Sequence, residues 1–251
     1  MVESTCDDRS AAALALLATL AATGTVHAPL AVKPTAYGGI GVFAAAPIPA
    51  GATVLSLPSA SMLVTGASQQ AMLPLMLARE RRNASSETMQ RYVATLPSTC
   101  PDNLVGRPAA DHALVSASLH GWKVDSLQRE QRALRDDAAA SDWGVEEEAW
   151  ALCMKLSRAF ASVAPTRAFT SAGGGPVMMP FVDLFDHSTE PSCNERGRWV
   201  DEAAGRWVAE VTALRELAAG DEVTFSYVEI TVDLVSRRGG LVDGGHFSLN
   251  S

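Results

Sequence analysis

Two strand-rich segments flanking a long helical stretch predict an α+β fold for this 251-residue chain. Three observations carry that reading. Residues 26–63 are short apolar runs broken by prolines and glycines. Residues 69–163 place apolar side chains at helical spacing, and strand patterns return between Val177 and Tyr227.

The run Ala11–Ala22 predicts an opening amphipathic helix that ends near Gly24. Val54 to Leu57 reads as a strand closed by Pro58, and Ile48-Pro49-Ala50-Gly51 before it supplies the tight reversal of a hairpin. Met72, Leu75, Met76 and Arg79 fall on one helical face. The basic run Arg79–Arg82 reads as a solvated helix end. Asp125 with Gln128 suggests an acidic capping box for a polar helix through Ala140. Glu146, Glu147 and Glu148 open another helix, where negative charge suits the positive end of the dipole. Trp150, Cys153, Met154 and Ser157 line one face of it, and Pro165 stops it. After Gly173–Gly175 come strands at Val177–Leu184, Trp199-Val200, Arg206–Leu214 and Glu222–Tyr227, with Asp201–Gly205 as a hairpin loop.

An apolar share of 47% with 19% charged residues suits a globular protein with a sizeable core. The net charge of −8 argues against a nucleic-acid partner, since binding phosphates needs clustered cations. The same charge would attract a basic partner. Cys6, Cys100, Cys153 and Cys193 show no metal-ligand spacing, so no metal is expected. They read as buried thiols of a reducing compartment. Acidic Glu3, Asp7 and Asp8 stand where a secretory leader carries basic residues, and the run from Ala11 is too short to span a bilayer. The expectation is a soluble intracellular protein of cytoplasm or nucleus, an organelle remaining open, with no membrane partner.

Three segments carry chemistry together: Gly38-Gly39-Ile40-Gly41, Asp183-Leu184-Phe185-Asp186-His187-Ser188, and Gly220-Asp221-Glu222 leading to Tyr227. In this order they resemble a SET-domain protein methyltransferase, in the branch that includes the Rubisco large-subunit lysine methyltransferase. Tyr92–Pro97 and Ser157-Arg158-Ala159-Phe160 also fit that branch. The resemblance implies small curved antiparallel sheets, a threaded C-terminal segment and a helical insert. It divides the chain into a first SET half with the opening helix (1–68), the insert (69–170) and a second half with the cofactor and catalytic motifs (171–251).

It further implies S-adenosylmethionine as cofactor and a protein substrate with an accessible lysine, on a non-histone protein. The backbone of Gly38, Gly39 and Ile40 would meet the methionine part of the cofactor, and Arg158 would clamp its carboxylate. Asp183, Asp186 and His187 complete the implied cofactor residues, and Tyr227 is the implied catalytic one. Asp186 stands where the family usually has asparagine, keeping an acceptor but losing the amide donors. Val232, Gly239 and Leu241 also depart from the family's pattern. Two rival readings stay open: a catalytically silent SET-like interaction module, and a protein-histidine methyltransferase.

Overall fold

The computed structural model describes residues 6–35, 39–65, 72–99, 111, 113, 125, 128–130, 132–134, 145–158, 177–201 and 203–226, with backbone alone at 6, 7, 145, 146, 148, 157 and 158. Helix α1 (Cys6–Ala22) buries Ala13, Leu16 and Leu20, one helical stripe. It ends as its glycine predicts. Gly24 has φ 71, and the amides of Gly24 and Thr25 return to the carbonyls of Ala21 and Leu20 at 3.0 Å each.

Strands β1 (Leu30–Pro34) and β2 (Ile40–Ala44) form an antiparallel pair with Lys33 opposite Gly41. Strand β3 (Thr53–Pro58) follows the Ile48–Gly51 reversal. That reversal does not close a β2–β3 hairpin, as the local turn chemistry suggested. It passes the chain from one sheet to another, because β3 pairs with β8 (Arg206–Ala213), whose other neighbour is β7 (Cys193–Asp201). Strand β7 (Cys193–Asp201) and β8 form the expected hairpin across residues 201–205, with Gly205 at φ 65. One face of this sheet, through Leu55, Leu57, Ala209, Val211 and Cys193, belongs to the core.

Strand β4 (Leu63–Val64) pairs with β5 (Val177–Met178), so the chain leaves for its helical middle and returns at one place. Between them lie α2 (Met72–Arg82), α3 (Glu87–Thr95) and α4 (Val145–Arg158). Ser86 caps α3 by accepting from the Met89 amide at 3.2 Å. Asp125, expected as a cap, is itself helical.

Two readings of the middle segment change. Arg81 is not a solvated charge: its guanidinium lies 4.0 Å from the centre of the Trp150 ring and donates to the Ser98 carbonyl at 3.0 Å. The Trp150 indole donates to the Pro97 carbonyl at 2.7 Å, so α4 is tied both to α2 and to the segment after α3. Cys153 is disulfide-bonded, while Cys193 is a free, buried thiol. Spacing alone cannot reveal a pairing that tertiary packing creates, and the cysteines no longer argue for a reducing compartment. Among the described residues no helix is long and apolar enough to cross a membrane.

Candidate functional site

The site is assembled by one crossing. Strand β6 (Asp186–His187) lies parallel to β9 (Thr224–Phe225), with Asp186 opposite Thr224 and His187 opposite Phe225. The Ser188 amide donates to the Phe225 carbonyl at 2.7 Å and extends the pairing by one residue. Just before β9 the same segment runs antiparallel to β2. Phe43 bridges Glu222, and the Val223 amide donates to the Val42 carbonyl at 2.8 Å. Residues 220–225 therefore join β2, through Val42–Ala44, to Asp186 and His187.

Local chemistry holds the crossing from both sides. The Ser192 hydroxyl donates to the Glu222 carbonyl at 3.2 Å and accepts from the Thr224 amide at 2.8 Å. The Ser192 amide donates to the Thr224 hydroxyl oxygen at 3.1 Å. Behind β6, the 3-10 turn Val182–Leu184 is buried. It starts at Phe181, whose φ of 74 is rare for an aromatic residue. Such a conformation costs about 1–3 kcal/mol and persists only where packing demands it. Packing does so here. Phe181 meets Phe185 edge-on at 6.0 Å, and Phe185 meets Phe225 at 4.9 Å, joining the turn to β9.

The implied site residues divide as follows. Asp186 is partly buried and His187 exposed, side by side at the crossing. Ile40 is buried at the start of β2. Gly39 uses both backbone groups on Thr35: its amide donates to the Thr35 hydroxyl at 3.2 Å, and its carbonyl accepts the Thr35 amide at 3.0 Å. Asp183 is buried and accepts the Tyr92 hydroxyl at 2.8 Å, so its carboxylate ties the site loop to α3 from the interior. Gly38, Tyr227 and the side chain of Arg158 lie outside the described residues.

Sequence reasoning passed over one residue that the fold brings in. Burial first, and then the neighbouring carboxyl of Asp186, push the carboxyl of Glu222 above the ordinary range. Its Oε1 lies over Gly41, where a Cβ would stand 2.8 Å away. Nothing local signals this placement, since Glu222 and Gly41 lie far apart in the sequence. Nearby Cys193 is pushed up to about 11 by burial, which leaves its thiol unreactive at neutral pH. Among the described residues no group of three or more His, Cys, Asp and Glu gathers as a metal site.

A parallel crossing of this kind, fed by a glycine-rich strand and backed by a helical insert, defines an α+β SET fold. The profile of the SET domain matches residues 39–228, and the chain belongs to that family. Among solved structures, "Crystal structure of the SET domain of LSMT bound to Lysine and AdoHcy" is similar at 18% identity and a TM-score of 0.65. The match covers 88% of this chain and 54% of that one. "Structure of Rubisco LSMT bound to AdoMet" matches at 18% identity and a TM-score of 0.61, over 87% and 53% of the two chains. "Structure of Rubisco LSMT bound to Sinefungin and Monomethyllysine" matches at 16% identity and 0.62, over 87% and 53%. The chain spans about half the length of these structures. No curated protein matches it in sequence.

Proposed function

We propose that the chain is an S-adenosylmethionine-dependent protein-lysine N-methyltransferase acting on a non-histone protein. The carrying observation is the β6–β9 crossing, which sets Asp186 and His187 beside Thr224-Phe225, two residues before Tyr227. Membership of the SET family supports methyl transfer as the reaction, and the similar LSMT structures hold lysine, AdoHcy or AdoMet.

The residues present fit such a cofactor. Asp186 offers a carboxylate to an ammonium group, and Arg158, at the end of α4, is of the type that clamps a carboxylate through paired hydrogen bonds. Gly38, Gly39 and Ile40 would face the amino-acid part, and the backbone of His187 the adenine. The bound cofactor would supply an electrophilic methyl group on sulfur. For this chain's part, Tyr227 would orient the acceptor nitrogen in line with that methyl. A lysine amine has a pKa near 10.4, so it must lose its proton before attack, and aromatic walls favour the neutral form by desolvation. An intracellular setting goes with this reading, without support from the cysteines.

Calorimetric titration with S-adenosylmethionine tests the binding half. One site is expected, weakened by about 1.5–3 kcal/mol in Arg158→Ala, the scale of a charge-assisted hydrogen bond. Neither heat nor a thermal shift with this cofactor or its demethylated product would refute it. For the chemical half, labelled cofactor is presented with a cell extract. Tyr227→Phe should bind cofactor yet transfer about 100- to 1,000-fold more slowly. Equal labelling by both proteins would remove Tyr227 from the mechanism. Cofactor binding with no transfer would favour the silent module, to which Val232, Gly239 and Leu241 point. Label on histidine would make that residue the acceptor.

A further inference from the structure

The glycine-rich start of β2 is held from the strand before it. Strands β1 and β2 keep register from Leu30 opposite Ala44 to Pro34 opposite Ile40, so the next facing residues are Thr35 and Gly39. The Thr35 amide donates to the Gly39 carbonyl at 3.0 Å, which makes this a hydrogen-bonded pair. The alternation of an antiparallel ladder then leaves Pro34 and Ile40 as a non-hydrogen-bonded pair, where the amide that proline lacks is not needed. An unbroken ladder would return the Gly39 amide to the Thr35 carbonyl. Here it donates to the Thr35 hydroxyl instead, at 3.2 Å.

The other branch of the same side chain meets Gly41. A Cβ there would stand 2.8 Å from Thr35 Cγ2, well inside contact distance, so the methyl occupies the space that a side chain would need. Glu222 Oε1, on the threaded segment, would be equally close, and Phe43 Cε2 would lie 3.4 Å away. Gly41 is therefore covered by three groups, one from the end of β1, one from β2 and one from the segment that crosses β6. A β-branched side chain has few χ1 rotamers, and one rotamer of Thr35 serves both glycines. Serine would lack the methyl, and valine the hydroxyl.

We infer that Thr35 is a positioning residue for the proposed cofactor site: its hydroxyl holds the Gly39 amide and its methyl covers Gly41, so a single rotamer sets the backbone path from Gly39 to Gly41. A ligand recognised by backbone groups gains affinity when that backbone is ordered before it arrives, because ordering on binding costs free energy. Glycines cannot supply this order themselves, since they restrict φ and ψ least of all residues. Thr35 supplies it from the neighbouring strand. It touches no reacting atom, and its effect reaches the ligand only through Gly39–Gly41. The consequence for ligand binding rests on the proposed function, whereas the tie between Thr35 and Gly39 depends on no ligand.

The test compares the full chain as wild type, Thr35→Val and Thr35→Ser. Valine keeps the β-branch and a methyl and removes the hydroxyl; serine keeps the hydroxyl. Hydrogen exchange of the Gly39 amide is read by NMR on isotope-labelled protein without ligand. It should be slow in wild type and Thr35→Ser and about tenfold faster in Thr35→Val. Equal exchange in wild type and Thr35→Val would overturn the tie. Calorimetry then gives the affinity for S-adenosylmethionine. Thr35→Val should bind about two- to tenfold more weakly, the scale of one hydrogen bond, with Thr35→Ser close to wild type. Equal affinity in all three would overturn the positioning role, and so would Thr35→Ser as weak as Thr35→Val. Thr35→Ala, which also lacks the hydroxyl, takes the place of Thr35→Val if that variant fails to fold. No binding by any form would refute the cofactor reading, and exchange at Gly39 would still decide the tie.

Discussion

Replacing Glu195 by glutamine should remove a pH-dependent weakness from the three-stranded sheet. Glu195 sits on β7 opposite Val211, which in turn pairs with Leu55 of β3. Both neighbours are fully buried, so the carboxyl lies on an aliphatic sheet face. Its Oε1 is enclosed and has no hydrogen-bond partner among the described residues. Burial pushes the carboxyl from 4.5 to about 8. The folded state therefore holds the proton more tightly than the unfolded chain. Stability is complete below about pH 4.5, falls as pH rises, and levels off above about 8. At about 1.36 kcal/mol per pH unit, the interval between those two values sets a ceiling of about 5 kcal/mol. Solvent reaching the rest of the side chain reduces this to about 2–4 kcal/mol. That is a large share of the roughly 5–15 kcal/mol by which a domain is normally stable. Urea denaturation of wild type and Glu195→Gln at pH 5, 7 and 9 measures it. The two should agree within about 1 kcal/mol at pH 5 and diverge by about 2–4 kcal/mol at pH 9, with the variant the more stable and the denaturant slope unchanged. A gap that stays the same at all three pH values would mean that the carboxylate is solvated or paired when folded, and the argument from burial would fail.

Two further substitutions probe the framework of the site. Gly41→Ala puts a Cβ 2.8 Å from both Glu222 Oε1 and Thr35 Cγ2, so it should destabilise by about 1–3 kcal/mol, partly recovered by adding Glu222→Ala; thermal unfolding of the single and double variants checks this. Tyr92→Phe removes the hydroxyl that donates to buried Asp183 and should cost about 1–3 kcal/mol by chemical denaturation, whereas no change would show that the tie between α3 and the site loop carries no weight.

Local pattern made much of the fold legible. The stripe of Leu16 and Leu20, the Gly24 helix stop and the hairpin at residues 201–205 all follow from neighbours a few positions away. The same holds for the helix opened by Glu146–Glu148. Of the site, the segments were readable but not their contacts. Asp186 and His187 could be named; the placement of Glu222 over Gly41 could not. The side chain of Asp183 accepts from Tyr92, 91 positions earlier, a contact that no local pattern announces. Arg81 looked like a solvated charge because nothing in its own helix announces Trp150, an aromatic platform that arrives from α4.

By itself the sequence determined the alternation of strand-rich and helical regions and, through three short motifs, the family. The strand expected over Val177–Leu184 is instead a two-residue strand followed by a buried 3-10 turn at Val182–Leu184. Turn chemistry and side-chain periodicity act over a few residues, and the motifs preserve residue types at fixed local spacing. Only the tertiary structure decided that β3 pairs with β8 rather than β2, and that β6 and β9 run parallel. It alone set Glu222 over Gly41 and enclosed one carboxyl oxygen of Glu195. The physical reason is that a carboxyl's proton affinity depends on what faces it and how much water reaches it, and both are set by chain segments that meet only when the protein folds.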